Sequence, residues 1–443
     1  MKMFHLKKLR LGLILLIFLL AQFVLAQEQS GRLLVERIDI LGARKTKPQV
    51  IHRYLSFREG QALTPELIEH DQQALLATNF FKRVDFSTAP GSEKGKVIVI
   101  IELQERRLPT LEFAGGYSEL DGWYFSPLGL RYDNLLGTGH FLGVRMLVGD
   151  QVGGVNFRFR QPHLFGGSMN FQFDFEVLNR NVIHYLDARK VIQKVGIGTA
   201  RFTLSGTRGM GKFLAGGYQI GSAEPDSSAK FTNNDSLIYS FPPDIAKNLG
   251  KKELGIFWLR LQADTRDNMF FPRRGLWGAL SLEVADRQFG GNTQFTRTIF
   301  DGRFYQNIGH SVLALRLKAA ATSTSTPYYE RFYLGGAYSL RGFAERSLTP
   351  IGYGTQLVLA NLEWRMPIAS RNPQKPSLMG VVFFDAGGIG TPQTKINKHD
   401  ILTAVGFGFR LNVPILGLLR CDFAYPQKSP DDFRFHFAIG HPF

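Results

Sequence analysis

From Leu111 to Phe443, apolar and polar side chains take turns along the chain. Val155, Phe157 and Phe159 fall on one side of such a run, and Asn156, Arg158 and Arg160 fall on the other. Phe171, Phe173 and Phe175 likewise oppose Gln172, Asp174 and Glu176, and Val405, Phe407, Phe409 and Leu411 oppose Gly406, Gly408, Arg410 and Asn412. A period of two sends successive side chains to opposite faces of a strand. Large apolar groups on one face and charges on the other are what a lipid exterior and a watery lumen demand of a barrel strand, whereas a soluble sandwich would turn its charged face to bulk water. The runs between turn signals predict an all-β transmembrane barrel of about sixteen antiparallel strands, an even number like other bacterial single-chain barrels. Short connections at Leu135-Leu136-Gly137-Thr138-Gly139, Phe165-Gly166-Gly167 and Pro272-Arg273-Arg274-Gly275 are expected at the periplasmic end. Pro225 to Lys251, Pro327 to Gly352 and Thr391 to Asp400 are long and polar enough to be external loops.

The chain ahead of the barrel follows other periods. Lys2, Lys7, Lys8 and Arg10 precede an apolar run from Leu11 to Leu20, and the segment closes on Val24-Leu25-Ala26. That order of charge, apolar core and small residue predicts a secretory signal peptide over residues 1–26. No later run approaches the roughly 18–20 apolar residues of a membrane helix, which leaves a closed barrel as the way across a bilayer. Residues 27–107 are expected to form one small α+β (βααββ) domain ahead of the barrel at 108–443. Leu33 to Ile40 alternates as a strand, Lys47 to Leu55 and Thr64 to Thr78 have helical spacing, and Phe81 to Phe86 and Val97 to Leu103 are strands again. Thr64 is placed to cap the second helix with Pro65 at its first position, and Asn79 stands where that helix would end.

Ile38-Asp39-Ile40-Leu41-Gly42, Thr46, Gly60, Asn79-Phe80-Phe81-Lys82-Arg83-Val84 and Ile98 to Glu102 together resemble the polypeptide-transport-associated (POTRA) domain, of which a single copy fits here. Further along, Asn134-Leu135-Leu136-Gly137-Thr138-Gly139, Asp264-Thr265-Arg266-Asp267 with Phe271-Pro272-Arg273-Arg274-Gly275, Leu334-Gly335-Gly336 with Ser339-Leu340-Arg341-Gly342-Phe343, Leu362-Glu363-Trp364-Arg365 and Phe384-Asp385-Ala386-Gly387 occur in the order of one superfamily. The chain resembles the POTRA-bearing outer-membrane assembly and translocation barrels, also called the bacterial surface antigen family, whose members include the Bam and Tam barrels and the two-partner-secretion transporters. That resemblance implies that Leu340-Arg341-Gly342-Phe343 lies in a long loop folded back into the lumen. Glu363 shares an inward face with Asn361 and Arg365, and Asp385 lies on the next strand, so both carboxylates are expected to meet Arg341 inside the barrel. In a wet lumen such a pairing would contribute about 1 kcal/mol, chiefly by orienting the loop. Asp264, Arg266, Asp267, Pro272 and Gly275 are expected to build a strand-to-turn motif with no chemistry. Phe433, Phe435, Phe437 and Ile439 alternate towards a terminal Phe443, which resembles the C-terminal signal read by the outer-membrane assembly machinery. Gly115-Gly116 falls in the first barrel strand and should weaken its seam with the last.

Composition changes the picture in three places. The apolar share of 44% is close to that of soluble proteins, so average hydropathy does not reveal a membrane protein. A net charge of +16 spread along a secreted chain fits an anionic lipopolysaccharide surface or an electropositive lumen better than a nucleic acid, for which no role is expected. The lumen-facing cations would be Arg158, Arg160, Arg260, Arg316, Lys318, Arg410 and Arg420. Cys421 is the lone cysteine, and the ten histidines form neither an HExxH motif nor a paired ligand spacing, so no metal site is expected. No phosphate loop or Gly-x-Ser-x-Gly elbow is present, and neither catalytic residues nor a cofactor are expected.

The function implied is an outer-membrane protein that inserts or translocates client polypeptides, with its POTRA domain in the periplasm. Unfolded outer-membrane or secreted clients, the bilayer with its lipopolysaccharide, and accessory periplasmic proteins are the expected partners. A dedicated secretion pore for one partner and a passive porin are the alternatives.

Overall fold

The computed structural model describes residues 33–118, 122–186, 189–207, 211–231, 237–238, 240–269, 271–369, 376–413, 417–427 and 433–439. The expected signal peptide and Phe443 lie outside them. The chain divides into two compact units, residues 1–108 with 133–140, and residues 109–132 with 141–443.

The first unit carries β1 (Leu33–Leu41), α1 (Pro48–His52), β2 (Ala62–Leu63), α2 (Pro65–Ala77), β3 (Phe81–Pro90) and β4 (Lys96–Glu105). Its sheet runs β2-β1-β4-β3, with β1 parallel to β4 and the other pairs antiparallel. Every second residue of β4 (Val97, Val99, Ile101 and Leu103) is buried against Ile51, Leu55, Phe57 and Leu75. At α2, Thr64 is the N-cap and accepts from the Leu67 amide, with Pro65 at the first position. The first helix is shorter than its spacing predicts. It stops at His52, and Leu55 and Phe57 turn into the core from the connection that follows. The two-residue β2 is too short to leave a period and was not expected. Glu105 accepts from the Thr46 amide and hydroxyl, both at 2.7 Å, and from the Lys45 amide at 3.1 Å. Asn134 donates to the same Thr46 hydroxyl at 2.8 Å.

The second unit is a closed barrel. Its strands are β5 (Thr110–Ser118), β6 (Gly122–Leu135), β7 (His140–Gly149), β8 (Gly153–Gln161), β9 (Met169–Leu186), β10 (Arg189–Thr207) and β11 (Lys212–Pro225), then the short β12 (Ala229–Phe231) and β13 (Leu237–Ile238). They continue as β14 (Lys252–Asp264), β15 (Gly275–Ala285), β16 (Phe295–Ile308), β17 (Ser311–Thr322), β18 (Gln356–Ala369), β19 (Leu378–Gly390), β20 (Leu402–Val413), β21 (Gly417–Pro426) and β22 (Arg434–Ile439). Setting aside the β12–β13 hairpin, sixteen long strands stand among the described residues, and β22 closes on β5. Because each hairpin reverses direction, the long connections 226–251, 323–355 and 391–401 all emerge at one end, and the turns after β8 and β14 at the other.

The alternation sorts as a lipid-facing barrel requires. Phe257, Leu259 and Leu261 of β14 are exposed on the outside, as are Val405, Phe407, Phe409 and Leu411 of β20, while Arg410 is buried within. An apolar girdle of this extent would be unstable in water and is satisfied by hydrocarbon. Among the described residues no helix is long and apolar enough to cross a membrane.

Two outcomes follow from these contacts. Leu259→Arg should cost about 2–4 kcal/mol of folding stability in phospholipid vesicles, the range for a cation near the bilayer midplane, and Leu259→Ala much less; urea titration of tryptophan emission measures both. In the first unit, burial pushes the Glu105 carboxyl up, but the hydrogen bonds from Thr46, Lys45 and Arg44 outweigh it and hold the carboxyl below its ordinary value. A depressed folded value stabilises above the unfolded carboxyl's titration near pH 4.3, and that stabilisation is lost as pH falls through the lower folded value. The protection factors of the Lys45 and Thr46 amides, exchange rates corrected for their intrinsic pH dependence, should therefore fall on acidification of the wild type and be low, with little pH dependence, in Glu105→Gln.

Candidate functional site: a guanidinium buried in the barrel

The loop between β17 and β18 turns inward and lays Arg341 against the inner wall. Asp385 of β19 pairs directly with Asn361 of β18 in the strand register, and Glu363 stands two residues further along β18 on the same inward face. Arg341 Nε donates to Asp385 Oδ2 at 2.7 Å and Nη2 to Oδ1 at 2.8 Å, a two-pronged contact. Its Nη1 donates to Glu363 Oε1 at 2.7 Å, and its backbone N–H adds a bond of 3.2 Å to Asp385. The guanidinium lies 3.5 Å from the centroid of the Phe383 ring. A planar fork that stays charged is the side chain suited to holding two carboxylates and an aromatic face together.

Around this centre the charges continue in a chain. Arg365 Nε donates to Glu363 Oε2 at 2.8 Å, Arg410 Nη1 to Asp422 Oδ1 at 2.6 Å, and Arg420 Nη2 to Asp422 Oδ2 at 2.9 Å. Arg420 also holds the Ala337 carbonyl, and Asn361 the Ser339 carbonyl, so the loop backbone on the N-terminal side of Arg341 is gripped as well. On its C-terminal side the Gly342 N–H donates to His436 Nε2 of β22 at 3.0 Å. Gly342 has φ +89°, and a Cβ there would stand 3.2 Å from Ala404 Cβ and from Pro426 N. The positive φ favours glycine, and the close Cβ contacts would force neighbours to give by a few tenths of an ångström. Phe343 packs beside Leu334, Leu340, Leu357 and Leu359.

The expected wet environment needs correction. Arg341 is 2% exposed, and Glu363 and Asp385 are fully buried. The loop itself supplies the cover, which the alternation of the strands does not encode. In such surroundings the contacts cannot be valued as an exposed pair; removing one partner strands a charge without water.

The other residues singled out in the sequence sit elsewhere. Arg266 clasps Asp264 through Nε at 2.9 Å and Nη2 at 2.7 Å, and Asp267 Oδ1 accepts from the Arg273 and Arg274 amides at 2.9 and 3.2 Å. Pro272 is buried, and Gly275 has φ +110° with the Thr265 carbonyl where a Cβ would be. These contacts tie the β14–β15 turn, and the strand register runs from Gly275 through Tyr305 and Ala314 to Glu363, three strands away. Sequence reading missed Asp422, Phe383 and His436. Phe383 carried a signal: counting by twos from Asp385 puts a large aromatic on the polar face.

Residues 134–443 match the Omp85 superfamily domain, and residues 33–106 match the POTRA surface antigen variable number repeat. The chain belongs to the Omp85 superfamily. Among curated relatives, the outer membrane protein assembly factor BamA of Nitratidesulfovibrio vulgaris is 24% identical over 92% of this chain and 51% of its own length. The BamA of Neisseria meningitidis is 23% identical over 95% and 58%, and the chloroplast outer envelope protein 80 of Arabidopsis thaliana 25% over 89% and 54%. The chain thus spans about half the length of the curated relatives it matches. Among solved structures, BamA from Haemophilus ducreyi lacking POTRA domains 1–3 superposes with a TM-score of 0.71 at 20% identity, covering 92% of this chain and 84% of that one. CdiB from Escherichia coli gives 0.57 at 15% identity, over 93% and 77%.

In this Omp85 barrel, Arg341→Ala should lower folding stability by about 3–5 kcal/mol, because it leaves two buried carboxylates without their partner. Pairing it with Asp385→Asn in a double-mutant cycle should return a coupling of 1 kcal/mol or more, on the order of that between residues in direct contact. Additive effects in detergent-micelle unfolding would mean that the contact contributes no energy of its own.

Proposed function

We propose that this chain is an outer-membrane protein that inserts client polypeptides into the bilayer, with its POTRA domain in the periplasm. The observation that carries the reading is the seam. β22 closes the barrel on β5, which carries adjacent glycines at 115 and 116. Glycine offers no side chain to pack across the ladder and weakens strand pairing there. The seam is therefore the place where the wall can part at least cost and receive a client strand edge to edge. The names of the relatives agree: BamA is an outer membrane protein assembly factor in both bacteria named above.

In this reading Arg341, Gly342, Phe343, Glu363 and Asp385 anchor the loop within the lumen, and Asp264, Arg266, Asp267, Pro272 and Gly275 shape one hairpin end. The POTRA sheet would capture unfolded clients by strand addition, which relies on backbone groups and tolerates many sequences. Insertion makes and breaks no covalent bond, so neither catalysis nor a cofactor enters the account. Secretion through the lumen is the second reading, favoured by the cavity of about 700 Å³ along the wall from β8 to β15.

The Tyr117 and Phe437 rings lie 5.8 Å apart across the seam. Tyr117→Cys with Phe437→Cys, in a Cys421→Ser background and bridged by a short bis-thiol reagent, should abolish insertion of an unfolded outer-membrane protein into liposomes. Reducing a cleavable bridge should restore it. Full activity with the bridge in place would refute lateral insertion and leave the lumen route.

A further inference from the structure

The lumen is filled unevenly. The β17–β18 loop packs its Arg341 region against β17 to β22, while its flanks cross to the far wall, where Tyr353 and Tyr328 donate to the Ile183 carbonyl of β9 and to Gln193 of β10. The cavity walled by β8 to β15 lies on the short-turn side of those two contacts, at the level of Gln172–Arg180 and Ile197–Ser205. The loop thus covers it from the long-loop end.

Along this wall a row of alternating cations and indoles runs from β10 across β11, β14 and β15 to β16. Arg201 of β10 lies 5.1 Å from the Trp258 ring of β14, Arg260 lies 5.7 Å from the Trp277 ring of β15, and Arg303 of β16 lies 4.3 Å from the same ring. A membrane barrel ordinarily spends tryptophan on its outer interfaces, as this chain does with the exposed Trp123 and Trp364. Trp258 shares its strand face with Arg260 and Gln262, opposite Phe257, Leu259 and Leu261, and so stands within.

The charges of the wall do not cancel. Asp174 is taken by Arg158, and Glu283 and Glu330 are both taken by Arg297. That leaves Glu176 against Arg180, Arg201 and Arg260, none of which contacts a carboxylate among the described residues. Arg201 reaches only Gln219, at 2.8 Å, and Arg260 Nε and Trp258 Nε1 have no acceptor among the described residues. Guanidinium groups propped on aromatic faces keep their edges for an incoming carboxylate. A volume of about 700 Å³ is in the range of ligand-binding cavities, roughly 300–1,000 Å³.

We infer that this half of the lumen is a binding site for an acidic stretch of polypeptide arriving from the short-turn end, with Arg201 and Arg260 as its principal cations. A lipid phosphate from the external leaflet would approach from the end that the loop covers. The inference rests on the reading of the barrel as one that handles polypeptides, but its test involves no insertion: failure of the liposome assay with peptide binding intact would remove that reading alone.

The test is fluorescence anisotropy of a labelled hexaglutamate peptide with the full chain in neutral detergent micelles. Hexaglutamate should bind at least tenfold more tightly than labelled hexaglutamine, and more weakly as salt rises. Arg201→Gln with Arg260→Gln should weaken it roughly tenfold or more, the effect of losing charge-assisted hydrogen bonds. Arg158→Gln, whose charge Asp174 already neutralises, should change it far less and controls for folding of a substituted wall. Equal affinity for the two peptides, an undiminished affinity in the double variant, or displacement by free glutamate at matched carboxylate concentration would each overturn the proposal, the last by reducing the site to one for any small anion.

Discussion

One buried guanidinium organises the interior of this barrel. Arg341 arrives on a loop, while Glu363 and Asp385 stand on neighbouring strands, so their contact joins a segment with no ladder hydrogen bonds of its own to the most regular part of the fold. A charge taken out of water is costly unless its partners are close and well aimed, and a cost of that kind acts as a specification. The loop has one arrangement in which all three groups are satisfied, and any partial withdrawal leaves at least one charge uncompensated. The Phe383 face, the Gly342 backbone and the flanking carbonyl contacts narrow that arrangement further.

The same loop divides the lumen into two environments with different physics. On the β17–β22 side it excludes water, and ion pairs there act at close range. On the β8–β15 side the wall stays open, and its arginines lean on aromatic rings or amides where carboxylates are lacking. A barrel meant only to let solutes diffuse would need neither arrangement. β22 meets β5 close to the anchored side, since His436 of β22 holds the Gly342 amide. Loop position and the seam are therefore linked through β22.

Much of this was legible in the sequence because a membrane barrel obeys a period of two. Strand faces, the near count of sixteen and the inward facing of Glu363 and Asp385 follow from parity and a few turn signals. The second POTRA helix declared itself through Thr64 and Pro65, while the first was overdrawn to Leu55, which is apolar for the sake of the core and not of a helix. What parity does not carry is depth. Nothing in the alternation distinguishes a carboxylate under a loop from one in open water, so the dryness around Arg341 appeared only in three dimensions. Asp422 and His436 were invisible for a related reason: each is unremarkable on its own strand and matters because β21 and β22 come round beside β18 to β20 and the loop.

The measurement that bears most directly on the central claim is planar-bilayer conductance of the full chain, comparing wild type with Arg341→Ala. If the buried guanidinium holds the loop across the lumen, the wild type should show small, flickering currents, and the variant should show larger openings as the loop comes free. Identical currents from the two proteins would contradict the claim, because a loop that stays in place without Arg341 is held by something else.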